Sequence, residues 1–359
     1  MTPLGVGQVI GILGGGQLGR LLALEAARLG FDVHIFCPES NSPAARVAAH
    51  ETIAAYDDAA ALATFAAACD VITYEFENVP AASVALIEAA GTPVRPGAKS
   101  LEMSQDRARE KTFLNEIGIP TVNYCLVENG ETLEATLAGF ASHAILKTRR
   151  DGYDGKGQIM LGGARGKAGL DEARHLASAV PCILEAFAPF EREVSVVIAR
   201  TEQETLAFDI AENQHESGIL ARSTVPARIS ADIARAATEA GIKLADALDH
   251  IGVLALEFFV MPDGSLRANE FAPRVHNSGH WTPDGCTTGQ FEQHIRAVAG
   301  WPLGPATRLF DVEMINLLGQ DVAQIPQGFT AADRPVSYGK RDPKPGRKMA
   351  HVTKRLKRI

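Results

Sequence analysis

Residues 8 to 20 read QVIGILGGGQLGR, and this stretch restricts the fold more than any other. An apolar strand candidate, QVIGIL, runs into glycines 14, 16 and 19 at G-x-G-x-x-G spacing. Leu18, Leu21, Leu22, Ala26 and Leu29 then recur at helical spacing. The stretch therefore predicts a strand, a tight turn and a helix. Glu39 closes the next apolar run, FDVHIFCPE, so every element of the dinucleotide-binding fingerprint is nominally present. The same turn offers backbone N–H groups and a helix N-terminus to any anion. It constrains the fold and leaves the ligand open.

The following segments continue the alternation. Strand candidates at 8–14, 31–37, 70–75 and 93–95 are separated by Ala-rich helical stretches around 17–29, 58–68 and 80–90, which implies a parallel sheet. This unit ends after about four strands, whereas a hydride-transfer domain normally completes six. A helix to about residue 117 follows, then HAILKTR, a glycine-rich turn, QIMLG, a helix near 170–179 and CILEAF. From 193 onward, EVSVVIAR with TLAFDIAE, and VLALEFFV with SLRANEFA, are strand pairs flanking a helix at 230–249; they predict antiparallel sheet. The layout is an open α/β domain, a small α+β lid and an antiparallel α+β body with a short C-terminal addition. A chain of 359 residues suits two or three such units.

Charge and cysteines narrow the function classes. A net charge of -8 argues against a general nucleic-acid or membrane surface, and there is no apolar run of about 18 residues to span a bilayer. The N-terminus lacks a basic region and a long apolar run, so it is expected to start a domain and not to be a signal peptide. Five cysteines scattered singly suit a reducing cytosol better than a disulfide framework or a zinc site. The basic end, from Lys354 onward, reads as a solvated tail.

Four stretches carry chemistry. In LKTRRDGYDGKGQ, Gly152, Gly155 and Gly157 follow Lys147 between two strand candidates; this is a mobile hairpin or a cover for phosphates, with Lys147 as a point charge. In VLALEFFVMPDGSLRANEFAPR, a turn near Asp263 and Gly264 brings Glu257 level with Glu270, with Asn269 beside them. Two carboxylates and an amide oxygen are hard ligands of the kind that hold magnesium, and a lone Glu in an apolar run needs compensation. In PRVHNSGHWTPDGCTTGQ, Arg274, His276, Asn277, Ser278 and His280 crowd one loop, which reads as an anion site led by Arg274. In YGKRDPKPGRKMAH, Lys340, Arg347 and Lys348 bracket a rigid turn, a basic surface loop or a site for a phosphate monoester.

Taken together, GYDGKGQ after Lys147, ILEAF, REVSV and LEFFV…ANEFAPRVHNSGHWT resemble the ATP-grasp superfamily. GGGQLGR, YEFENV, APRVHNSGHWT and PGRKM narrow the resemblance to its 5-(carboxyamino)imidazole ribonucleotide synthases, over residues 8 to 353. The resemblance implies an α/β and α+β chain: an ATP-grasp fold with an N-terminal Rossmann-like domain at 1–105, an ATP-grasp domain at 106–300 with its lid at about 121–183, and a small C-terminal domain at 301–359. It implies ATP, magnesium and bicarbonate as partners of 5-aminoimidazole ribonucleotide, and a cytoplasmic homodimer. Arg107 and Lys147 would contact the ATP phosphates under a cover formed by Gly152, Tyr153, Asp154, Gly155, Lys156, Gly157 and Gln158. Glu185, Ala186, Phe187 and Ala188 would line adenine, Glu193 the ribose, and His215 would also lie at the nucleotide. Glu257 and Glu270 would bind magnesium beside Asn269. Gly16, Gln17, Leu18 and Glu75 would meet the ribonucleotide from one side, and Tyr153, Asp154, Arg274, His276, Asn277 and Ser278 from the other. Lys340 and Arg347 would grip its 5′-phosphate. Lys147 and Arg274 would spread charge during phosphoryl transfer, and Asp154 would position the reacting amine.

Two departures stand out. Ala350 occupies a position where the family carries glycine, which would strain a left-handed backbone. The chain also stops soon after Thr353, so a trimmed C-terminal domain is expected. A formate-dependent phosphoribosylglycinamide formyltransferase shares the layout, but HNSGHWT and PGRKM favour carboxylation. A nicotinamide-dependent oxidoreductase rests on the first glycines and Glu39 alone. A non-catalytic nucleotide-binding module would be expected to lose Lys147, Glu257 or Glu270.

Overall fold

The computed structural model describes residues 2–140, 143–152, 157–162, 166–325 and 327–359. At the N-terminus β1 (Val9–Leu13), β2 (Asp32–Cys37), β3 (His50–Ile53) and β4 (Val71–Tyr74) form a parallel sheet in the order β3-β2-β1-β4. Helices α1 (Gln17–Arg28), α2 (Ala59–Ala67) and α3 (Ala81–Ala89) connect them. β1 and β2 read as continuous apolar runs because helices cover both faces of a parallel sheet. The sequence did not reveal β3, since His50, Glu51 and Ile53 are exposed on the sheet edge and carry no apolar pattern. The stretch 93–95, expected as a strand, makes only an isolated bridge from Val94 to Ile72, because Pro93 and Pro96 have no N–H to extend the ladder. Two helices follow, α4 (Ala98–Ser104) and α5 (Arg107–Glu116). Asp106 caps α5 by accepting from the N–H groups of Ala108 and Arg109.

The lid is a second sheet in the order β5-β8-β6-β7, from β5 (Tyr124–Val127), β6 (Ala144–Thr148), β7 (Gln158–Leu161) and β8 (Cys182–Ala186). α6 (Leu133–Leu137) and α7 (Gly166–Ala179) accompany it. Val127, Leu146, Ile159, Leu161 and Leu184 close a core that belongs to the lid alone.

The body is a nine-stranded sheet, counted over the described residues, with the main order β14-β13-β9-β11-β12-β15-β17-β16 and β10 paired to β9. Its strands are β9 (Arg192–Arg200), β10 (Thr205–Ala207), β11 (Ala211–Glu216), β12 (Ile219–Val225), β13 (Gly252–Val260), β14 (Leu266–Ala272), β15 (Phe310–Leu318), β16 (Asp333–Ser337) and β17 (Lys348–Arg358). α8 (Ala231–Ala247), α9 (Thr282–Gly285) and α10 (Gln290–Val298) complete it. The run TLAFDIAE is two strands, not one: Phe208 still donates to Val197 in the β10 register, and a one-residue slip over 208–210 precedes the pairing of Ala211 with Ser195. The basic C-terminal residues are not merely a solvated tail, since β17 pairs with β15 as far as Arg358. Ala350 lies inside β17 and is fully buried; it is absent from the positive-φ positions among the described residues, so the anticipated strain is not there.

The first domain and the body share one core, in which Ile10 and Leu22 belong to the same cluster as Val197, Val253, Phe291 and Ile295. Burying each large side chain of this set contributes about 2 kcal/mol. Two walls of the cleft are therefore fixed relative to each other, while the lid rests on its own core.

Candidate active site

The cleft between these parts has a volume of about 900 Å³. One wall is the β13–β14 hairpin. Leu256 pairs with Phe271 and Phe258 with Ala268, so Glu257 alone faces both Asn269 and Glu270 across a bulge. That register brings the two carboxylates to one level, as expected from the turn. Burial and the neighbouring Glu270 push the Glu257 carboxyl above its ordinary range. Glu270 goes the other way: burial would raise it, but Arg107 and Lys147 hold it low. Arg107 Nη1 lies 2.7 Å from Glu270 Oε2. Asn269 Oδ1 is buried without a hydrogen-bond partner. Two carboxylates and an unpartnered amide oxygen fit a hard divalent cation.

Helix α5 supplies a charged stripe along the cleft. Arg107, Glu110, Lys111 and Leu114 fall at i, i+3, i+4 and i+7, and the last three are buried. Lys111 is fully buried, donates to the Asn269 carbonyl at 3.1 Å, and sits 3.3 Å from Glu185 Oε1. The other oxygen of Glu185 accepts from Lys147 at 2.8 Å. Burial opposes ionisation of Glu185, yet the two lysines hold it at about 2. Glu110 accepts from the Phe271 N–H at 2.6 Å and so ties α5 to β14. Glu110 and Lys111 escaped the sequence reading because charges on a polar helix ordinarily face water. Their i, i+3, i+4 alignment with Arg107, running into Leu114, was the available signal.

The glycine turn holds something other than a cofactor. The N–H groups of Gly16 and Gly19 both donate to the Glu75 carboxylate, the second at 2.7 Å. A side chain of the protein itself thus fills the anion position of the fingerprint. Glu39, its nominal partner, is exposed beyond β2. Glu75 was expected at the substrate; it is buried, with an oxygen on each of these two amides.

Gln17, Leu18, Arg107, Gly152, Glu257, Glu270, Arg274, His276, Asn277, Lys340 and Arg347 all line the cleft, although they are drawn from three parts of the chain. Arg274 pairs with Glu77, which the sequence reading missed. Asn277 keeps its buried amide unpartnered. Lys340 donates to the Gln17 side chain and, at 2.7 Å, to the Lys348 carbonyl. His276 does not present a free ring to a substrate: Nε2 is 3.3 Å from Glu257 Oε1 and Nδ1 is 2.9 Å from Ser278 Oγ. Burial, with Arg274 adding to it, pushes His276 down to about 3, so the ring is neutral. Ser278 is fully buried behind it and does not reach the cleft surface. On β9 and β11, Glu193 and His215 form a pair. Ala186 ends β8, followed by the exposed Phe187 and the buried Ala188. Gly157 and Gln158 lead into β7. Tyr153, Asp154, Gly155 and Lys156 lie outside the described residues.

Residues 8–105 match the ribonucleotide synthetase preATP-grasp domain, 112–291 the ATP-grasp domain, and 313–357 the phosphoribosylaminoimidazole carboxylase C-terminal domain. The N5-carboxyaminoimidazole ribonucleotide synthase of Brucella melitensis biotype 1 is 52% identical, covering 98% of both chains. That of Bacillus subtilis strain 168 is 41% identical over 97% of this chain and 91% of its own. The crystal structure of an ADP complex of purK, N5-carboxyaminoimidazole ribonucleotide synthetase, superposes with a TM-score of 0.94 at 42% identity, covering 98% and 94% of the chains. The Aspergillus clavatus synthase with ADP and 5-aminoimidazole ribonucleotide gives 0.90 at 28% identity, covering 98% and 94%. The chain belongs to the N5-carboxyaminoimidazole ribonucleotide synthase family of ATP-grasp enzymes.

Proposed function

We propose that this chain carboxylates 5-aminoimidazole ribonucleotide at its amine, using ATP and bicarbonate and giving ADP and phosphate. The observation that supports the reading is the single cleft in which the Glu257–Glu270 pair, Arg107 and Arg274, and a separate basic loop with Lys340 and Arg347 converge. A bicarbonate oxygen attacks the γ-phosphorus, the bond to ADP breaks, and carboxyphosphate forms. Carboxyphosphate then splits into phosphate and carbon dioxide; the amine captures the latter and loses a proton.

The residues of the chain divide this work. Arg107 and Lys147 neutralise phosphate charge, and Arg274 serves the bicarbonate side. Glu257, Glu270 and Asn269 would hold magnesium, which when bound neutralises the transferring phosphate. Because the Glu185 carboxylate is committed to Lys147 and Lys111, contact with adenine falls to the backbone of 185–188. Glu193 takes the ribose, with His215 as its partner. Gln17, Leu18 and Asn277 meet the ribonucleotide, and Lys340 with Arg347 takes its 5′-phosphate. Glu75 acts by shaping the Gly16 turn, and Asp154 positions the amine. A closed lid excludes water from the short-lived carboxyphosphate.

The reading includes a cytoplasmic homodimer, which size-exclusion chromatography with light scattering tests. The deciding experiment is ATP hydrolysis with the ribonucleotide and either bicarbonate or formate. Stimulation by bicarbonate alone is expected; stimulation by formate alone would transfer the chain to the formyltransferase reading.

A further inference from the structure

Behind His276 a row of polar side chains crosses the sheet away from the cleft. Ser223 on β12 donates to Asn213 Oδ1 at 2.8 Å, and Asn213 Nδ2 on β11 donates to Ser195 Oγ at 2.9 Å. Ser195 on β9 donates to Ser278 Oγ at 2.8 Å, and Ser278 Oγ is 2.9 Å from His276 Nδ1. All four side chains behind the ring are buried, Ser223 and Ser278 completely. In a sheet interior each costs desolvation that an apolar residue would avoid, so the row is a choice of chemistry over packing.

The row also has a direction. Each hydroxyl owns one proton, and the amide nitrogen can only donate. Ser195 spends its proton on Ser278, so the Ser278 proton is free to point at His276 Nδ1. The backbone N–H of Ser278, 3.3 Å from the same nitrogen, is a second donor. Nδ1 is therefore an acceptor, and the ring carries its proton on Nε2, facing Glu257 Oε1 at 3.3 Å. We propose that the Ser223–Asn213–Ser195–Ser278 relay is a positioning device: it fixes His276 as the Nε2–H tautomer, whose N–H holds the Glu257 carboxylate in the orientation that receives the divalent cation. The part that concerns the cation rests on the proposed function; the tautomer does not.

The test labels histidine nitrogens with ¹⁵N and reads the ring protonation of the intact protein in long-range ¹H–¹⁵N spectra, with His276 assigned by His276→Asn. Wild type is expected to show His276 protonated at Nε2 alone. Ser278→Ala and, more weakly, Ser195→Ala should admit an Nδ1–H population. Calorimetric titration with ADP should then show a loss of up to about fivefold in the affinity that magnesium adds in Ser278→Ala, the size of one close contact between a polar group and a carboxylate. ADP binding in EDTA should stay within about twofold, since the Nε2 contact is with the metal ligand and not with the nucleotide. Ser195→Ala, remote from the cleft, carries the test if Ser278→Ala does not fold. A wild-type ring protonated at Nδ1, or folded variants that keep one tautomer and the full magnesium increment, overturns the proposal; a merely structural row would lower the melting temperature and leave both readouts in place. If bicarbonate-dependent hydrolysis is missing while the tautomer shifts as expected, the failure belongs to the proposed function and not to the relay.

Discussion

His294 makes the stability of this protein depend on pH in a way that can be worked from its surroundings. It sits on α10, fully buried, with Nδ1 accepting from the Val253 N–H at 3.0 Å and Nε2 2.8 Å from Thr73 Oγ1. Since Nδ1 faces a backbone donor, it has no room for a proton. Burial, with His250 adding to it, lowers its pKa from 6.5 to about 3. A folded value below the unfolded one means that the unfolded chain binds the proton more readily. The stabilisation is complete above pH 6.5 and drains away as pH falls toward 3. Between pH 7.5 and 5.0 the loss is about 2 kcal/mol, whether the folded value is 3 or 4, because pH 5 lies above both. His250 and His351 are equally buried and lowered to about 3 by the same cause, so the three together lose about 6 kcal/mol at pH 5. That is a large fraction of the 5–15 kcal/mol typical of a folded protein, as an order of magnitude.

The assay is urea unfolding at the two pH values, followed by tryptophan fluorescence. Trp301 suits it, since its indole N–H donates to the Leu4 carbonyl and its ring packs on Phe31 at 5.0 Å, within the core that joins the first domain to the body. His294→Asn keeps an acceptor near the Val253 N–H and cannot take the proton. Its stability at pH 7.5 should be lower, but the drop on going to pH 5.0 should shrink by about 2 kcal/mol relative to wild type. A variant whose acid-induced loss equals that of wild type would refute the reasoning.

Three further outcomes are expected. Lys111→Met leaves Glu185 buried with one cation in place of two and should cost about 3 kcal/mol in urea unfolding, part of which Glu185→Gln in the same chain returns. Gly16→Ala would set a Cβ 2.4 Å from Glu75 Oε1, so the turn must open; KM for the ribonucleotide should rise at least about tenfold while ADP affinity is retained, measured by kinetics and calorimetry. Lys340→Ala should raise KM for the ribonucleotide by about 10- to 100-fold and leave KM for ATP near its wild-type value, because the proposed function gives Lys340, which donates to Gln17, to the 5′-phosphate of the ribonucleotide.

What could be read in the sequence depended on how far a residue's partners lie along the chain. Glu257 and Glu270 were legible because a hairpin is local: once the turn is placed near Gly264, the pairing of Leu256 with Phe271 follows by counting. Lys147, Arg274 and the PGRKM loop were legible as charges in unusual company, though which of them share one cleft was not. Glu75 shows where local reading stops. The turn at 14–19 announces an anion, and nothing near it says that the anion is a side chain 59 residues beyond Gly16. Ser278 shows the same limit with the opposite error. Its neighbours in HNSGH read as a cluster of ligands, yet its partner is Ser195, on a strand that the crossover from 200 to 277 brings back beside it. Lys111 completes the case, because a lysine in RAREKTFL belongs in water until α5 is laid against β14 and the lid supplies Glu185. In all three, the missing information was the identity of a buried counterpart. Buried charges and hydroxyls are therefore the residues whose roles sequence assigns least well, since their stability is defined by a partner that only the fold selects.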